Sequence, residues 1–252
     1  MSQDWLSARL EGSLWTNVRC VAATGSTNAD LLAEADRLPS GSVEVSDYQS
    51  RGRGRLDRAW VAPPGAMAAF SVYLRFAEGA PASWQFIPIL GGLAVWEGLR
   101  EAAGADTTLK WPNDVLVGGK KICGVLAQVA HGRCGPGVVL GIGVNTKMDA
   151  AQLPVPTATS LALEGLPDEP GPVVLAVLRS LERWYRRWEA GEDIATAYAA
   201  ACDTIGRRVR VVLPGDGVCE GEAVRVDSDG SLVVLADGRE RVFAAGDVVH
   251  LR

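Results

Sequence analysis

The 252-residue sequence predicts an α+β fold: a mixed, mostly antiparallel sheet flanked by helices over residues 1–204, then a small β-barrel over 205–252. Three observations predict it. Strand patterns follow one another closely between Leu109 and Asn145, around a Gly118-Gly119-Lys120 hairpin signal. Trp84–Ala103 and Val173–Ala190 carry apolar residues at helical spacing. After Cys202 the texture changes to short strands broken by Gly, Asp and Pro turns.

Residues 1–16 read as a short amphipathic lead-in. Val18, Cys20 and Ala22 alternate with polar neighbours, as in a half-buried strand. Thr24-Gly25-Ser26-Thr27-Asn28 supplies capping residues ahead of a helix over Ala29–Arg37. Val43 and Val45 mark a second short strand that ends near Gln49, and Met67–Phe76 a third, with Phe70, Val72 and Leu74 on one face. Trp84–Ala103 places Ile87, Leu90, Leu93, Ala94 and Leu99 on a buried stripe, with Pro88 near its start, where proline is tolerated. Leu109–Val117 and Lys121–Ala130 flank the Gly-Gly turn, and Gly137–Asn145 reads as a strand buried on both faces. Leu153–Pro172 is a Pro-rich loop with one short helical turn. The helix over Val173–Ala190 turns Val173, Val174, Val177, Leu178, Leu181, Trp184, Tyr185 and Trp188 to the core. Arg207–Leu213, Gly221–Val226, Leu232–Leu235 and Arg241–Ala244 follow as short strands, separated by Pro214-Gly215-Asp216-Gly217, Asp227-Ser228-Asp229-Gly230 and Asp237-Gly238.

Composition removes several function classes. A net charge of −5 argues against a general nucleic-acid binder. The five cysteines form no C-x-x-C pair and are odd in number, the usage of reduced thiols in a cytoplasmic protein. The sequence shows no signal peptide and no apolar run long enough to span a membrane, so no membrane partner is expected. His131 and His250 are the only histidines, which excludes a Ser-His-Asp or Cys-His apparatus and a clustered zinc site. Neither G-x-x-x-x-G-K-[ST] nor a post-strand G-x-G-x-x-G occurs. Catalysis must come from Arg and Lys electrostatics and from positioning.

The stretch Gly52-Arg53-Gly54-Arg55-Leu56-Asp57-Arg58-Ala59-Trp60 is the sharpest local signal. Guanidinium forks match phosphate oxygens, glycines let backbone approach a ligand, and a Trp ring stacks on a base. The loop reads as a lid over a nucleotide phosphate; a solvated basic loop or an Arg-Gly RNA tether is the alternative.

Three further polar segments interrupt the apolar strands: Ser26-Thr27-Asn28, Lys110-Trp111-Pro112-Asn113-Asp114 and Lys120-Lys121-Ile122-Cys123-Gly124. With Gln49 and the basic loop, they resemble the biotin protein ligase family over residues 20–145. The loop is similar to that family's G-R-G-R-x-G-R-x-W, and K-W-P-N-D and K-x-x-G-[IVL]-L are its other two marks. The resemblance implies a class II synthetase-like, biotin/lipoate-ligase-like catalytic domain followed by an SH3-like barrel. It implies two steps: biotin and ATP form biotinyl-5′-AMP and pyrophosphate, and the biotinyl group then passes to a lysine of a biotin carboxyl carrier domain of acetyl-CoA or a related carboxylase.

By the same resemblance Lys121, Arg55 and Asp114 are the catalytic residues. Ser26, Thr27, Asn28, Gln49, Gly52, Arg53, Gly54, Arg55, Lys121 and Gly124 surround biotin. Arg53, Arg55, Trp60, Lys110, Asn113, Lys121 and Asn145 surround ATP, and Asp114 lies near Mg²⁺. On the residues alone, Asn28 is equally a helix cap, Trp60 a core residue and Asn145 a strand-end turn. Asp57 departs from the family loop, which has glycine there. The residues ahead of the first strand are too few for a winged-helix domain, so DNA is not an expected partner. A lipoate or octanoate ligase or transferase of the same superfold is the nearest alternative.

Overall fold

The computed structural model describes residues 1–55, 58–75, 86–132, 135–213 and 217–251. Asp57, Phe76, Trp84, Cys134 and the Pro214-Gly215-Asp216 turn lie outside them, so the expectations placed on those residues go untested. Two sheets organise the chain. In the first, seven strands run in the order β1 (Asn17–Val21), β2 (Ser42–Ser46), β3 (Met67–Arg75), β7 (Gly135–Asn145), β6 (Lys120–Gly132), β5 (Asp114–Val117) and β4 (Thr107–Lys110). The β1–β2 pair is parallel and every other pair antiparallel, the mixed sheet expected.

Alternation along the strands assigns the faces. Phe70, Val72 and Leu74 of β3 join Leu140, Ile142 and Val144 of β7 in the main core. The helices α3 (Phe86–Ala103) and α4 (Pro170–Glu189) complete that core; the whole predicted stripe of α4, from Val173 to Trp188, is buried. Pro170 sits in the first turn of α4, where its missing N–H costs nothing. On the opposite face, Leu31 of α2 (Thr27–Glu34) and Ala35, just past its end, pack on Tyr73, Val139 and Ala130. The intervening positions of β3, β7 and β6 on that face include Ser71, Gly141, Gly143, Gly124 and Gln128, and the three glycines line the cleft described below.

The expected strand over Leu109–Val117 is two strands, β4 and β5, with a turn at Trp111–Asn113 between them. Pro112 has no N–H to give the ladder, which breaks there; the Trp111–Pro112 bond is cis. The helix expected at Ala29–Arg37 begins at Thr27, with Ser26 in the cap position, and ends at Glu34. The expected loop over Leu153–Pro172 holds turns but no separate helical turn up to Glu169, and its last three residues already belong to α4. A short α1 (Gln3–Arg9) fills the lead-in, and α5 (Ile194–Ala201) follows α4.

The small barrel appears as an antiparallel sheet of five strands, β11 (Arg239–Phe243), β10 (Leu232–Ala236), β9 (Val218–Val226), β8 (Arg208–Val212) and β12 (Asp247–His250), in that order. It is open: among the described residues no ladder joins β11 to β12. Trp111 ties it to the large sheet, its backbone N–H donating to Thr204 Oγ1 at 3.1 Å and its indole to the Gly230 carbonyl at 2.9 Å. Among the described residues no helix is long and apolar enough to cross a membrane.

One buried charge predicts a pH dependence. Glu44 of β2 is 1 % exposed and pairs with Arg19 of β1, while Asp30 of α2 faces it and Glu34 holds the other side of Arg19. Burial outweighs the arginine and pushes the Glu44 carboxyl up to about 7. The folded protein therefore keeps a proton that the unfolded chain has lost above the ordinary carboxylate range. This contribution to stability is complete below that range and disappears as pH rises through about 7. Thermal melts from pH 5 to 8 should show Glu44→Gln removing roughly 1–3 kcal/mol of that decline; an unchanged slope would assign it to other groups.

Candidate active site

The cleft begins where two loops are zipped together. Thr24 N–H donates to the Tyr48 carbonyl at 3.0 Å, Ser50 N–H to the Thr24 carbonyl at 2.9 Å, and Arg51 N–H to the Gly25 carbonyl at 2.8 Å. This sets Ser26, Thr27 and Asn28 beside Gln49. Gln49 Oε1 accepts from Thr27 N–H at 2.9 Å. Thr27 Oγ1 lies 2.6 Å from Ser71 Oγ, and Ser71 donates to Asn28 Oδ1 at 2.6 Å. Asn28 Nδ2 donates to Gln128 Oε1 at 2.8 Å and to the Leu126 carbonyl at 3.3 Å. Asn28 is thus not the cap of α2: it sits inside the helix and spends its amide across the sheet.

Glycines make that crossing possible. A Cβ on Gly141 would lie 2.2 Å from Asn28 Oδ1, and one on Gly143 2.3 Å from Trp60 Nε1. Any larger residue at either position displaces the side chain lying on the strand. Trp60 rests on Gly143 and on Gly124, and its indole N–H is buried with no acceptor among the described residues.

The arginine-rich loop is a tight reversal over the other end of the cleft. Gly54 N–H donates to the Arg58 carbonyl at 2.7 Å and Trp60 N–H to the Gly52 carbonyl at 2.9 Å. Arg55 reaches Asn113 Oδ1 at 3.1 Å and the Gly246 carbonyl at 3.0 Å. Arg58 pairs with Asp247, which also stands 3.9 Å from Arg55. Asn113 is fixed in turn, since its Nδ2 donates to the Val125 carbonyl at 2.7 Å.

Lys121 and Asp114 form the wall beneath the loop. Their charged atoms are 2.6 Å apart, and the Lys121 ammonium lies 5.4 Å from the Trp60 ring centre, within cation–π range. Lys121 is held by its backbone too: its N–H donates to the Thr157 carbonyl and its carbonyl accepts from Thr159, both at 2.8 Å. Burial lowers the Lys110 ammonium from its usual range, Asp114 opposes this, and Lys121 adds repulsion. Asn145 donates to the Thr159 carbonyl at 2.9 Å.

The cleft holds about 560 Å³ and brings together every predicted site residue except Gly52, which lies behind it and bonds Trp60. Sequence reasoning missed Ser71, Gln128, Gly141, Gly143 and the Ala158 segment. It also missed Gly246 and Asp247, which bring the second sheet to the loop. No group of three or more His, Cys, Asp or Glu able to hold a metal occurs among the described residues.

The cleft thus lies between a mixed sheet flanked by helices and a smaller antiparallel sheet, whose Asp247, Val248 and Val249 complete its lining. A solved biotin protein ligase from Aquifex aeolicus in complex with biotin and ATP superposes with a TM-score of 0.79 at 24% identity, over 94% of this chain and 99% of that one. The biotin/lipoate A/B protein ligase family matches residues 20–145, and the biotin protein ligase C terminal domain matches residues 204–251. A biotin--[acetyl-CoA-carboxylase] ligase of Mycobacterium tuberculosis is 41% identical over 249 residues, 96% of this chain and 91% of the relative. One from Paracoccus denitrificans is 31% identical, over 90% of this chain and 98% of the relative. The chain belongs to the biotin/lipoate A/B protein ligase family.

Proposed function

We propose that this cleft carries out ATP-dependent biotin ligation with the division of labour that follows. A biotin carboxylate oxygen attacks the α-phosphorus of ATP and expels pyrophosphate, leaving biotinyl-5′-AMP. The ε-amine of a carrier lysine then attacks the acyl carbon, loses a proton and expels AMP. The relatives' names point to the carrier domain of acetyl-CoA carboxylase as the acceptor.

Bringing a carboxylate to a triphosphate sets two anions against each other, so preorganised cations carry the first step. Lys121 stands where both would meet, and the ligands would draw it from Asp114. Arg53 and Arg55 cover the phosphates from above. Lys110, Asn113, Trp60 and Asn145 line the nucleotide end. Ser26, Thr27, Asn28 and Gln49 offer the mixed donors and acceptors that a cyclic urea requires, with Gly52, Gly54 and Gly124 allowing close approach. A divalent cation would lower the charge on the phosphates. Asp114 is one carboxylate without an acidic cluster around it, which suits a Mg²⁺ held mainly by phosphate oxygens rather than by a protein cage. Residues 1–204 would form the catalytic unit and 205–252 its closing partner.

The observation that carries this reading is the meeting, in one cleft, of Thr27 and Asn28, bridged by the buried Ser71, with the Lys121–Asp114 wall and Arg55. Pyrophosphate release should require biotin together with ATP, and label from biotin should appear on a single carrier lysine. Release with lipoate or octanoate in place of biotin would move the chain to the other branch of its family. An RNA role is disfavoured by the net charge of −5, the wrong sign for a polyanion.

A further inference from the structure

Gln128 belongs to no motif of the sequence and lies on β6, beyond the residues assigned to ligand above. We infer that Gln128 is a positioning residue that fixes the hydrogen-bond polarity of the biotin pocket, an inference that rests on the pocket assignment just made.

Ser71 of β3, Gly141 of β7 and Leu126 of β6 stand side by side in register, and Asn28 lies across the gap that Gly141 leaves. The Leu126 carbonyl can only accept, and at 3.3 Å it favours the Asn28 amide nitrogen turned toward β6. Gln128 Oε1, at 2.8 Å, takes the second amide hydrogen and makes that orientation the only satisfied one. Asn28 Oδ1 then faces β3 as an acceptor and claims the single hydroxyl hydrogen of Ser71, 2.6 Å away. Ser71 Oγ can now only accept from Thr27. The 2.6 Å contact takes the Thr27 hydrogen in preference to the 3.1 Å contact with Gln49 Oε1.

Two properties of the cleft follow. Thr27 Oγ1 is left with lone pairs and no hydrogen for a ligand. Gln49, whose Oε1 accepts from Thr27 N–H, is left with its Nε2 donors. An acceptor beside a donor is complementary to the adjacent N–H and C=O of a cyclic urea. Without Gln128 the outer amide hydrogen of Asn28 loses its partner, and only the 3.3 Å contact with the Leu126 carbonyl still favours this orientation; wherever the amide turns over, the hydroxyls of Ser71 and Thr27 reverse with it. Thr27 would then accept from Ser71 and keep its own hydrogen, for Gln49 Oε1 at 3.1 Å or for the cleft, so that it offers a ligand N–H one lone pair fewer.

The test compares three variants of the full-length enzyme by initial rates of pyrophosphate release, with thermal melts as a fold control. Gln128→Leu should raise the KM for biotin about tenfold, the scale of one misdirected buried hydrogen bond, with the KM for ATP unchanged. Gln128→Glu keeps an acceptor and forbids the reversed relay, so it should retain the wild-type KM for biotin. Thr27→Val removes the terminal group itself and should raise the KM for biotin whatever Gln128 does. If Thr27→Val leaves that KM unaltered, the pocket assignment fails. If Thr27→Val raises it but Gln128→Leu does not, the pocket stands and the relay is wrong. An equal rise in both substrate KM values, or a Gln128→Glu enzyme as impaired as Gln128→Leu, would also overturn the relay. Should Gln128→Leu not fold, Ser71→Ala cuts the same relay at its centre and must give the same selective change.

Discussion

Replacing Lys121 with alanine should slow biotin-dependent pyrophosphate release by roughly 10²–10³-fold, the usual cost of removing one preorganised donor from a transition state that gathers negative charge. The side chain is placed to do this from three sides. The loop segment of Thr157 and Thr159 clamps its backbone, the Trp60 ring centre lies 5.4 Å from its ammonium, and Asp114 holds the charge 2.6 Å away until a ligand competes for it. The variant leaves Asp114 without its cation, so part of the loss is a carboxylate now repelling phosphate. Asp114→Asn in the Lys121→Ala background separates the two: recovery of a few fold measures the repulsion, and the remainder is the lost donor. Lys121→Arg keeps the charge but replaces a point donor with a planar fork, and should recover only part of the rate. Near-wild-type release from Lys121→Ala would remove Lys121 from the chemistry.

Asp247→Ala should act on the same reaction from the second sheet. Asp247 pairs with Arg58 and approaches Arg55, while the neighbouring Gly246 carbonyl takes an Arg55 donor. The carboxylate is 23 % exposed and Arg58 65 %, so solvent screens the pair and its direct contribution to stability is small. Its effect is on where the loop rests. With the carboxylate gone, kcat/KM for adenylation should drop about tenfold, or 1.36 kcal/mol. Biotinyl-5′-AMP, no longer covered, should also hydrolyse faster, seen as AMP release without carrier. Unaltered AMP leakage would mean that Asp247 does not hold the lid.

The site was legible in the sequence wherever its residues cluster. Arg53, Arg55, Lys110, Asn113, Asp114, Lys121 and Gly124 come in short polar runs that apolar strands do not contain. Ser71 and Gln128 are single polar residues inside Met67–Arg75 and Lys120–Gly132, and each alone reads as a tolerated exception. Only the ladder register, which aligns Ser71 with Gly141 and Gly141 with Leu126, makes them neighbours of Asn28. The long-range pairing that sets this register leaves no local trace. The same limit explains β12 and Asp247, a four-residue strand whose partner β8 lies far back in the chain. The break at Pro112 had a local cause and was readable; the apolar alternation on either side of it obscured the signal.

The Trp111 hydrogen bonds have an evolutionary consequence. The segment carrying Lys110, Asn113 and Asp114 hangs from an indole whose acceptor, the Gly230 carbonyl, belongs to the other sheet. The Lys110–Asp114 segment and the C-terminal sheet must therefore be inherited as a matched pair. A C-terminal sheet recombined from a distant relative brings its own turn at position 230. Unless that turn returns a carbonyl to the same place, the hybrid fails at Lys110 and Asp114, although neither residue was exchanged.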